Sequence, residues 1–84
     1  MKLIFAEKAW GDYFYWQKTD KKLLNRISTL AREMKREPFD GIGKAEPLKH
    51  ALAGYWSRHI NEEHRIVYKI SVDSILIAHL RYHY

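Results

Sequence analysis

Residue types able to carry out acid–base chemistry are gathered in the second half of the chain. The set combines a carboxylate with imidazole and cationic groups: Glu46, Lys49, His50, Arg58, His59, Arg65, Arg81 and His83. Cleaving RNA without a metal ion needs a base for the ribose 2′-hydroxyl, a cation for the phosphorane charge and an acid for the leaving 5′-oxygen. A carboxylate, an arginine and a histidine suit these roles. Composition alone equally fits a surface on which these residues only contact phosphates or an acidic partner.

Metal and nucleophilic chemistry find little support in the residue pattern. The chain has no cysteine, which excludes disulfides and thiolate-ligated metals. His79 and His83 are four residues apart, and on a strand this spacing separates them by about 13 Å, too far to share one ion. The serines lie outside any glycine-rich nucleophile turn, and the segment 41–44 (GIGK) is too short for a phosphate-binding loop. We therefore expect no metal site and no cofactor.

Length and composition describe a small globular protein with an acidic or polyanionic partner. The chain has 84 residues, of which 46% are hydrophobic and 30% charged, so we expect a single domain covering residues 1–84. Its net charge of +5 fits nucleic acid, an anionic membrane surface or an acidic protein. The apolar run at the start is shorter than the roughly 7–15 residues of a signal peptide or the about 20 of a membrane span. We expect a cytoplasmic protein without a membrane partner.

The apolar periodicity predicts one strand followed by two helices. Residues 3–5 form a short apolar run typical of a strand, and helical spacing extends over residues 7–18. A second helix follows the break and capping signal at residues 19–20. It is predicted to end near Arg36, because Pro38 disfavours helical geometry in the residue before it.

The second predicted helix has two chemically different faces. Its apolar stripe has spacings of three and four residues and consists of Leu23, Leu24, Ile27, Leu30, Ala31 and Met34. Its basic face consists of Lys21, Lys22, Arg26, Arg32, Lys35 and Arg36. A solvated surface and a phosphate-facing stripe explain the basic face equally well.

The second half of the chain reads as a long loop followed by strands. Residues 38–54 are punctuated by glycine and proline, and a loop of this length in so small a domain favours a functional role. Strands are predicted at residues 55–61, 64–71 and 75–84. The predicted order βααβββ corresponds to an α+β fold with two N-terminal helices packed on a mainly antiparallel sheet.

Alternation along the last two strands predicts a core face and a polar face. The predicted core rows are Ile66, Tyr68 and Ile70 in one strand, and Leu76, Ala78, Leu80 and Tyr82 in the other. The opposite rows are Arg65, Val67 and Lys69, and His79, Arg81 and His83. We expect the bulky aromatic residues Trp10, Trp16, Trp56 and Tyr68 to be packing residues.

Four motifs are spaced along the second half of the chain, at residues 46–49 (EPLK), 54–58 (GYWSR), 63–68 (EHRIVY) and 81–84 (RYHY). Together with the length and the opening residues, they strongly resemble the YoeB toxins of the RelE/ParE superfamily. The resemblance implies a RelE-like fold with a microbial-ribonuclease-like sheet. It further implies a homodimeric toxin of a type II toxin–antitoxin module that cuts mRNA in the ribosomal A site, and a YefM-like antitoxin whose acidic tail blocks it.

The resemblance also implies a role for individual residues. It implies catalytic roles for Glu46 as general base, Arg65 as transition-state cation and His83 as general acid. It implies phosphate or RNA contacts for Lys49, Arg58, His59 and Tyr84. Position 59 commonly carries arginine in the family, so the histidine here is a departure.

Two other functions remain open from sequence. A ParE-like inhibitor of DNA gyrase would keep the fold without needing the RNA-cleaving residues. A non-catalytic RNA-binding module would use the basic helix face to bind phosphates. The joint presence of Glu46, Arg65 and His83 argues against the gyrase inhibitor.

Overall fold

The computed structural model describes residues 1–81, which form two helices and a five-stranded sheet. The elements are β1 (Lys2–Phe5), α1 (Glu7–Thr19), α2 (Lys21–Arg36), β2 (Glu46–Pro47), a 3₁₀ turn (His50–Leu52), β3 (Trp56–His59), β4 (Arg65–Ile70) and β5 (Ser74–His79). The α+β class is confirmed, and the first strand and both helices match their predicted bounds to within one residue. The predicted extension of the last strand to Tyr84, and the predicted core position of Tyr82, fall outside the described residues.

The sheet has the strand order β1-β5-β4-β3-β2. β1 is parallel to β5, with Lys2 opposite Ser74 and Phe5 opposite Ile77, and the other neighbouring strands are antiparallel. At the opposite edge of the sheet the sequence prediction is wrong. The loop predicted over residues 38–54 contains the strand β2, which pairs with β3. This short strand brings the loop residues into register with the sheet.

The core lies between the two helices and one face of the sheet. Leu30 and Met34 of α2 are fully buried, as are Ile66 and Tyr68 of β4, and all four belong to one cluster. The predicted apolar rows of α2 and β4 therefore face each other. Replacing a buried leucine such as Leu30 by alanine in a core of this kind costs about 2–5 kcal/mol.

The three tryptophans lie in different environments. Trp16 is buried on α1, and Trp56 packs against the core with its ring centroid 5.0 Å from that of Phe39. Both confirm the predicted packing role. Trp10 meets it only in part, because its indole stacks on Tyr13 at 5.8 Å but remains 50% exposed.

A β-bulge in β5 changes which of its residues face the core. The bulge inserts Ala78 as an extra residue in the pairing with β4. Ile75 and Ile77 belong to the core before the bulge, and Leu80 belongs to it after the bulge. The prediction that Leu76 and Ala78 face the core is therefore wrong. The extra residue shifts the alternation, so the residues before the bulge that face the core are Ile75 and Ile77.

Capping explains where α2 begins and ends. The side chain of Asp20 accepts the backbone N–H of Leu23 at 3.1 Å, which satisfies one of the free donors of the first turn. The helix ends at Arg36, two residues before Pro38, as predicted. Neither α1 nor α2 has the length and apolarity needed to cross a lipid bilayer.

Candidate active site

Glu46, His59 and Arg65 lie side by side across three neighbouring strands. His59 on β3 is directly opposite Arg65 on β4, and Glu46 on β2 is opposite Ser57. Oε1 of Glu46 lies 3.7 Å from Nε2 of His59, and the two side chains are 40% and 32% exposed. Because the next residue, Ile66, faces the core, alternation places this group on the sheet face turned away from the helices. The structure thus gathers a carboxylate, an imidazole and a guanidinium on one face of the sheet, where the carboxylate and the imidazole are partly exposed.

Glycine at position 43 lets the chain approach β3 closely just before Glu46. Its φ of 82° lies in the left-handed region, and its carbonyl accepts the backbone N–H of His59 at 2.7 Å. A Cβ here would lie 2.8 Å from Cδ2 of Leu30 and 3.2 Å from Cβ of Arg58. A larger residue would push this segment off the sheet, and Glu46 follows three residues later.

The turn between β3 and β4 sets Arg65 opposite His59. The side chain of Asn61 accepts the backbone N–H groups of Glu63 at 2.9 Å and His64 at 2.7 Å. Such a side-chain turn tightens the connection and ends strand pairing early. The two predicted strands are therefore each shorter at this turn than expected, and β4 begins at Arg65 itself.

Lys49 shares a surface depression with Glu46. The depression has a volume of about 370 Å³ and is lined by residues 46–50. Lys49 is exposed and immediately precedes the 3₁₀ turn. The ammonium group of Lys49 is therefore available to a phosphate that binds in this depression.

Arg58 lies on the core side of the sheet and is fully buried. Its Nη2 donates to the carbonyls of Glu37 and Asp40, the latter at 2.7 Å. Its Nη1 donates to the carbonyl of Ile42 at 3.2 Å, and Nε donates to the hydroxyl of Tyr68 at 3.0 Å. These donors are directed into the loop between α2 and β2. Arg58 thus holds this loop from below, and its direct phosphate contact stays a prediction.

The hydroxyl of Tyr68 completes the anchor of the same loop. It accepts from Arg58 and donates to the carbonyl of Pro38 at 3.0 Å. Burial raises the pKa of Tyr68, so the hydroxyl remains protonated and able to donate at neutral pH. The loop that leads to Glu46 is thus tied to two adjacent strands.

Two polar residues that the predicted site left out lie on the same sheet face. Ser57 is fully buried, and within residues 1–81 its Oγ has no hydrogen-bond partner. His79 is opposite Val67, and burial, reinforced by the charge of Lys8, lowers its pKa. Alternation along the predicted strands could have indicated Ser57 and His79, but it does not show that β2 pairs with β3 beside Ser57.

The predicted acid His83 and the predicted site residue Tyr84 lie outside the residues that the structure describes. The described chain ends with Arg81, whose guanidinium carbon lies 3.6 Å from the centroid of the Tyr15 ring on α1. The site residues that the structure brings together are therefore Glu46, Lys49, His59 and Arg65.

The comparison with protein families gives a match over nearly the whole chain. Residues 5–84 match the family described as "YoeB-like toxin of bacterial type II toxin-antitoxin system". The chain belongs to the YoeB-like toxins. It is 57% identical over 84 residues to Toxin YoeB of Escherichia coli strain K12, with all of both chains covered. The resemblance carried by the four motifs is confirmed.

Solved structures of YoeB-like toxins have the same fold. The YoeB dimer from Staphylococcus aureus aligns with a TM-score of 0.94 at 44% identity, covering 100% of this chain and 98% of that one. The heterotetrameric YoeB–YefM toxin–antitoxin complex from the same organism aligns with a TM-score of 0.92, with the same identity and coverage. A chain of this family is thus seen both with a second copy and with an antitoxin.

Proposed function

We propose that this YoeB-like toxin is a ribosome-dependent endoribonuclease that cuts mRNA in the ribosomal A site and thereby inhibits translation. The observation that carries the proposal is the 3.7 Å approach of Glu46 to His59, with Arg65 directly across from His59. A carboxylate beside two cationic or potentially cationic groups suits the attack of a ribose hydroxyl on a neighbouring phosphate. Glu46 and His59 are partly exposed, so an RNA strand can approach them.

In the proposed reaction Glu46 removes the proton from the ribose 2′-hydroxyl. The 2′-oxygen attacks the adjacent phosphorus, so a P–O2′ bond forms while the P–O5′ bond breaks. His83 donates a proton to the leaving 5′-oxygen. The products are a 2′,3′-cyclic phosphate and a free 5′-hydroxyl, and the step balances with no further reactant.

The cationic residues have distinct parts in this reaction. The guanidinium of Arg65 stabilises the negative charge that builds up on the phosphorane. Lys49 and His59 contact the flanking phosphates, and Tyr84 shapes the end of the site. Arg58 supports the reaction indirectly, because it anchors the loop that leads to Glu46.

The proposed partners follow from charge and from the relatives. Six of the 15 basic residues but one of the 10 acidic residues lie on α2, so this helix carries a net charge of +5 and the rest of the chain is neutral. Such a helix suits ribosomal RNA, because neutralising phosphates supplies affinity. We propose a YefM-like antitoxin and a homodimer by analogy with the S. aureus proteins, and action in the cytoplasm, where the ribosomes are.

The proposal is tested by mapping mRNA ends by primer extension in a reconstituted translation reaction. Wild type is compared with Glu46→Gln and His83→Gln, each checked for folding by circular dichroism and for ribosome binding by sedimentation. We expect cuts confined to the A-site codon, reduced by about 10²–10⁴ in each variant because acid–base catalysis is worth that much. Ribosome binding should be retained.

Each other outcome has a definite reading. Cuts that persist in both variants would keep the nuclease and move the chemistry to other residues. The absence of cuts by folded, ribosome-bound wild type would overturn the nuclease. A supercoiling assay with DNA gyrase would then test the ParE-like alternative, and retained RNA binding alone would favour the non-catalytic module.

A further inference from the structure

The backbone of Leu80, just beyond β5, is held by two side chains of α1. Oδ2 of Asp12 accepts the N–H of Leu80 at 2.9 Å, and Nε1 of Trp16 donates to its carbonyl at 2.9 Å. Both side chains are buried, with Asp12 4% and Trp16 5% exposed. They are four residues apart, so they lie on the same face of the helix. Both main-chain polar groups of one residue are therefore bound by a single helix.

These two side chains bind the backbone beyond the point where β1 stops pairing with β5. The pairing of β1 with β5 stops at Phe5 opposite Ile77, and the chain then turns into α1 at Glu7. The backbone of Leu80 lies beyond the reach of this pairing. A buried N–H or C=O without a partner is costly, so side chains from α1 complete the hydrogen bonding that a longer β1 would supply.

The hold on this segment is reinforced by charge. Nζ of Lys8 lies 2.8 and 2.9 Å from the two carboxylate oxygens of Asp12. A hydrogen bond to an ionised carboxylate is stronger than one to a neutral acceptor. The next residue, Arg81, is placed over the ring of Tyr15. Leu80 and Arg81 are thus both fixed on α1.

We propose that Asp12 and Trp16 are positioning residues for catalysis, which fix the direction in which the chain leaves β5 and thereby deliver His83 to the site. This inference rests on the proposed function, in which His83 is the acid. His83 follows Leu80 by three residues, and three residues span at most about 11 Å. A misplacement of about 1 Å at a reacting group can cost on the order of 100-fold in rate.

The test measures single-turnover cleavage of mRNA on programmed ribosomes at saturating toxin, separately from ribosome affinity. Asp12→Ala removes the acceptor, Asp12→Asn keeps an oxygen in its place, and Trp16→Phe removes the donor while keeping an aromatic ring. We expect Asp12→Ala to lower the cleavage rate by roughly 10–100-fold with unchanged affinity. Asp12→Asn should retain much of the wild-type cleavage rate, and Trp16→Phe should lower the rate less than Asp12→Ala does.

Asp20→Ala is the matched control for a general loss of stability. It removes the N-terminal cap of α2. Among the described hydrogen bonds, the Asp20 side chain has no contact with Leu80. We expect it to lower the unfolding midpoint and leave the cleavage rate of the folded, bound protein unchanged. Only variants with the wild-type circular dichroism spectrum are compared, and if Asp12→Ala does not fold, Asp12→Asn and Trp16→Phe carry the test.

A double-mutant cycle separates positioning of His83 from a general structural effect. If Asp12 acts through His83, the Asp12 substitution should have little further effect on the residual cleavage of His83→Gln. Equal fold-losses in the wild-type and His83→Gln backgrounds would overturn the inference, as would a wild-type rate for both folded Asp12→Ala and Trp16→Phe. A wild-type protein that does not cleave would instead overturn the proposed function, and full cleavage by His83→Gln would overturn the acid assignment and the inference with it.

Discussion

Replacing Arg58 by lysine should strongly lower the free energy of unfolding, although the charge is conserved. Lysine offers one ammonium group in place of the planar guanidinium fork. It cannot reach the three loop carbonyls and the Tyr68 hydroxyl that Arg58 contacts together. A lysine that reaches only some of these acceptors would leave one or two buried carbonyls without a donor.

The size of the effect follows from the number of hydrogen bonds lost. A hydrogen bond to a charged group contributes about 1.5–3 kcal/mol, so losing two with partial replacement should cost about 3 kcal/mol. A folded chain of 84 residues has a total stability of roughly 4–13 kcal/mol at the usual value per residue. A loss of about 3 kcal/mol would lower the Tm by roughly 12–24 °C in a domain of this size.

The assay is urea unfolding followed by tryptophan fluorescence and circular dichroism, with Arg65→Lys as the matched control. Arg65 lies half-buried on the other face of the sheet, so its conservative replacement should change stability by less than about 1 kcal/mol while lowering cleavage. A stability loss for Arg58→Lys below about 0.5 kcal/mol, together with weakened RNA cleavage, would refute the anchoring role. That result would favour the direct phosphate contact that the sequence predicts for Arg58.

Three further predictions concern the loop, β5 and α2. Gly43→Ala should destabilise the fold by more than about 1 kcal/mol, because its Cβ would lie 2.8 Å from Leu30 Cδ2. Gly54→Ala is the control, because Gly54 has a similar φ but open space around it, so the substitution should cost less. The urea unfolding midpoints of the two variants test this difference. Burial lowers the pKa of His79, so the unfolded chain binds the extra proton first, and stability should decline as the pH falls below about 6.5. The unfolding midpoint of wild type should therefore rise more steeply between pH 5 and 7 than that of His79→Gln, and parallel curves would contradict this. Reversing the charge of Lys21 and Lys22 together to glutamate suits the N-terminus of a helix, so the fold should persist; ribosome affinity should fall and its salt dependence flatten, and unchanged affinity would assign the basic face to solvent.

The helices and the first strand could be predicted from sequence because their signals are local. The cap at Asp20 and the stop before Pro38 bound α2, and its apolar stripe indicates its buried face. Glu46 and Arg65 could likewise be proposed as site residues, because each lies in a local sequence motif. Local signals do not report pairing between strands, so the contact of Glu46 with His59 emerges only from the register of β2, β3 and β4.

The features that sequence reasoning missed depend on long-range geometry. β2 is two residues long and contains a proline, so its composition reads as loop. The bulge at Ala78 shifts the alternation of β5 by one residue, and nothing in the local pattern marks it. Arg58 reads as an exposed cation, because the backbone carbonyls that it binds belong to a loop whose path the sequence does not reveal.

The most direct test of the proposed chemistry replaces a single 2′-hydroxyl in the mRNA. An mRNA with one 2′-deoxynucleotide on the 5′ side of the A-site cut is loaded on the ribosome and compared with the all-ribose mRNA at saturating toxin. If the 2′-oxygen is the nucleophile, cleavage at that position should disappear while toxin binding remains. Cleavage of the deoxy mRNA at the same position and rate would contradict the account, because the attacking oxygen would then come from elsewhere.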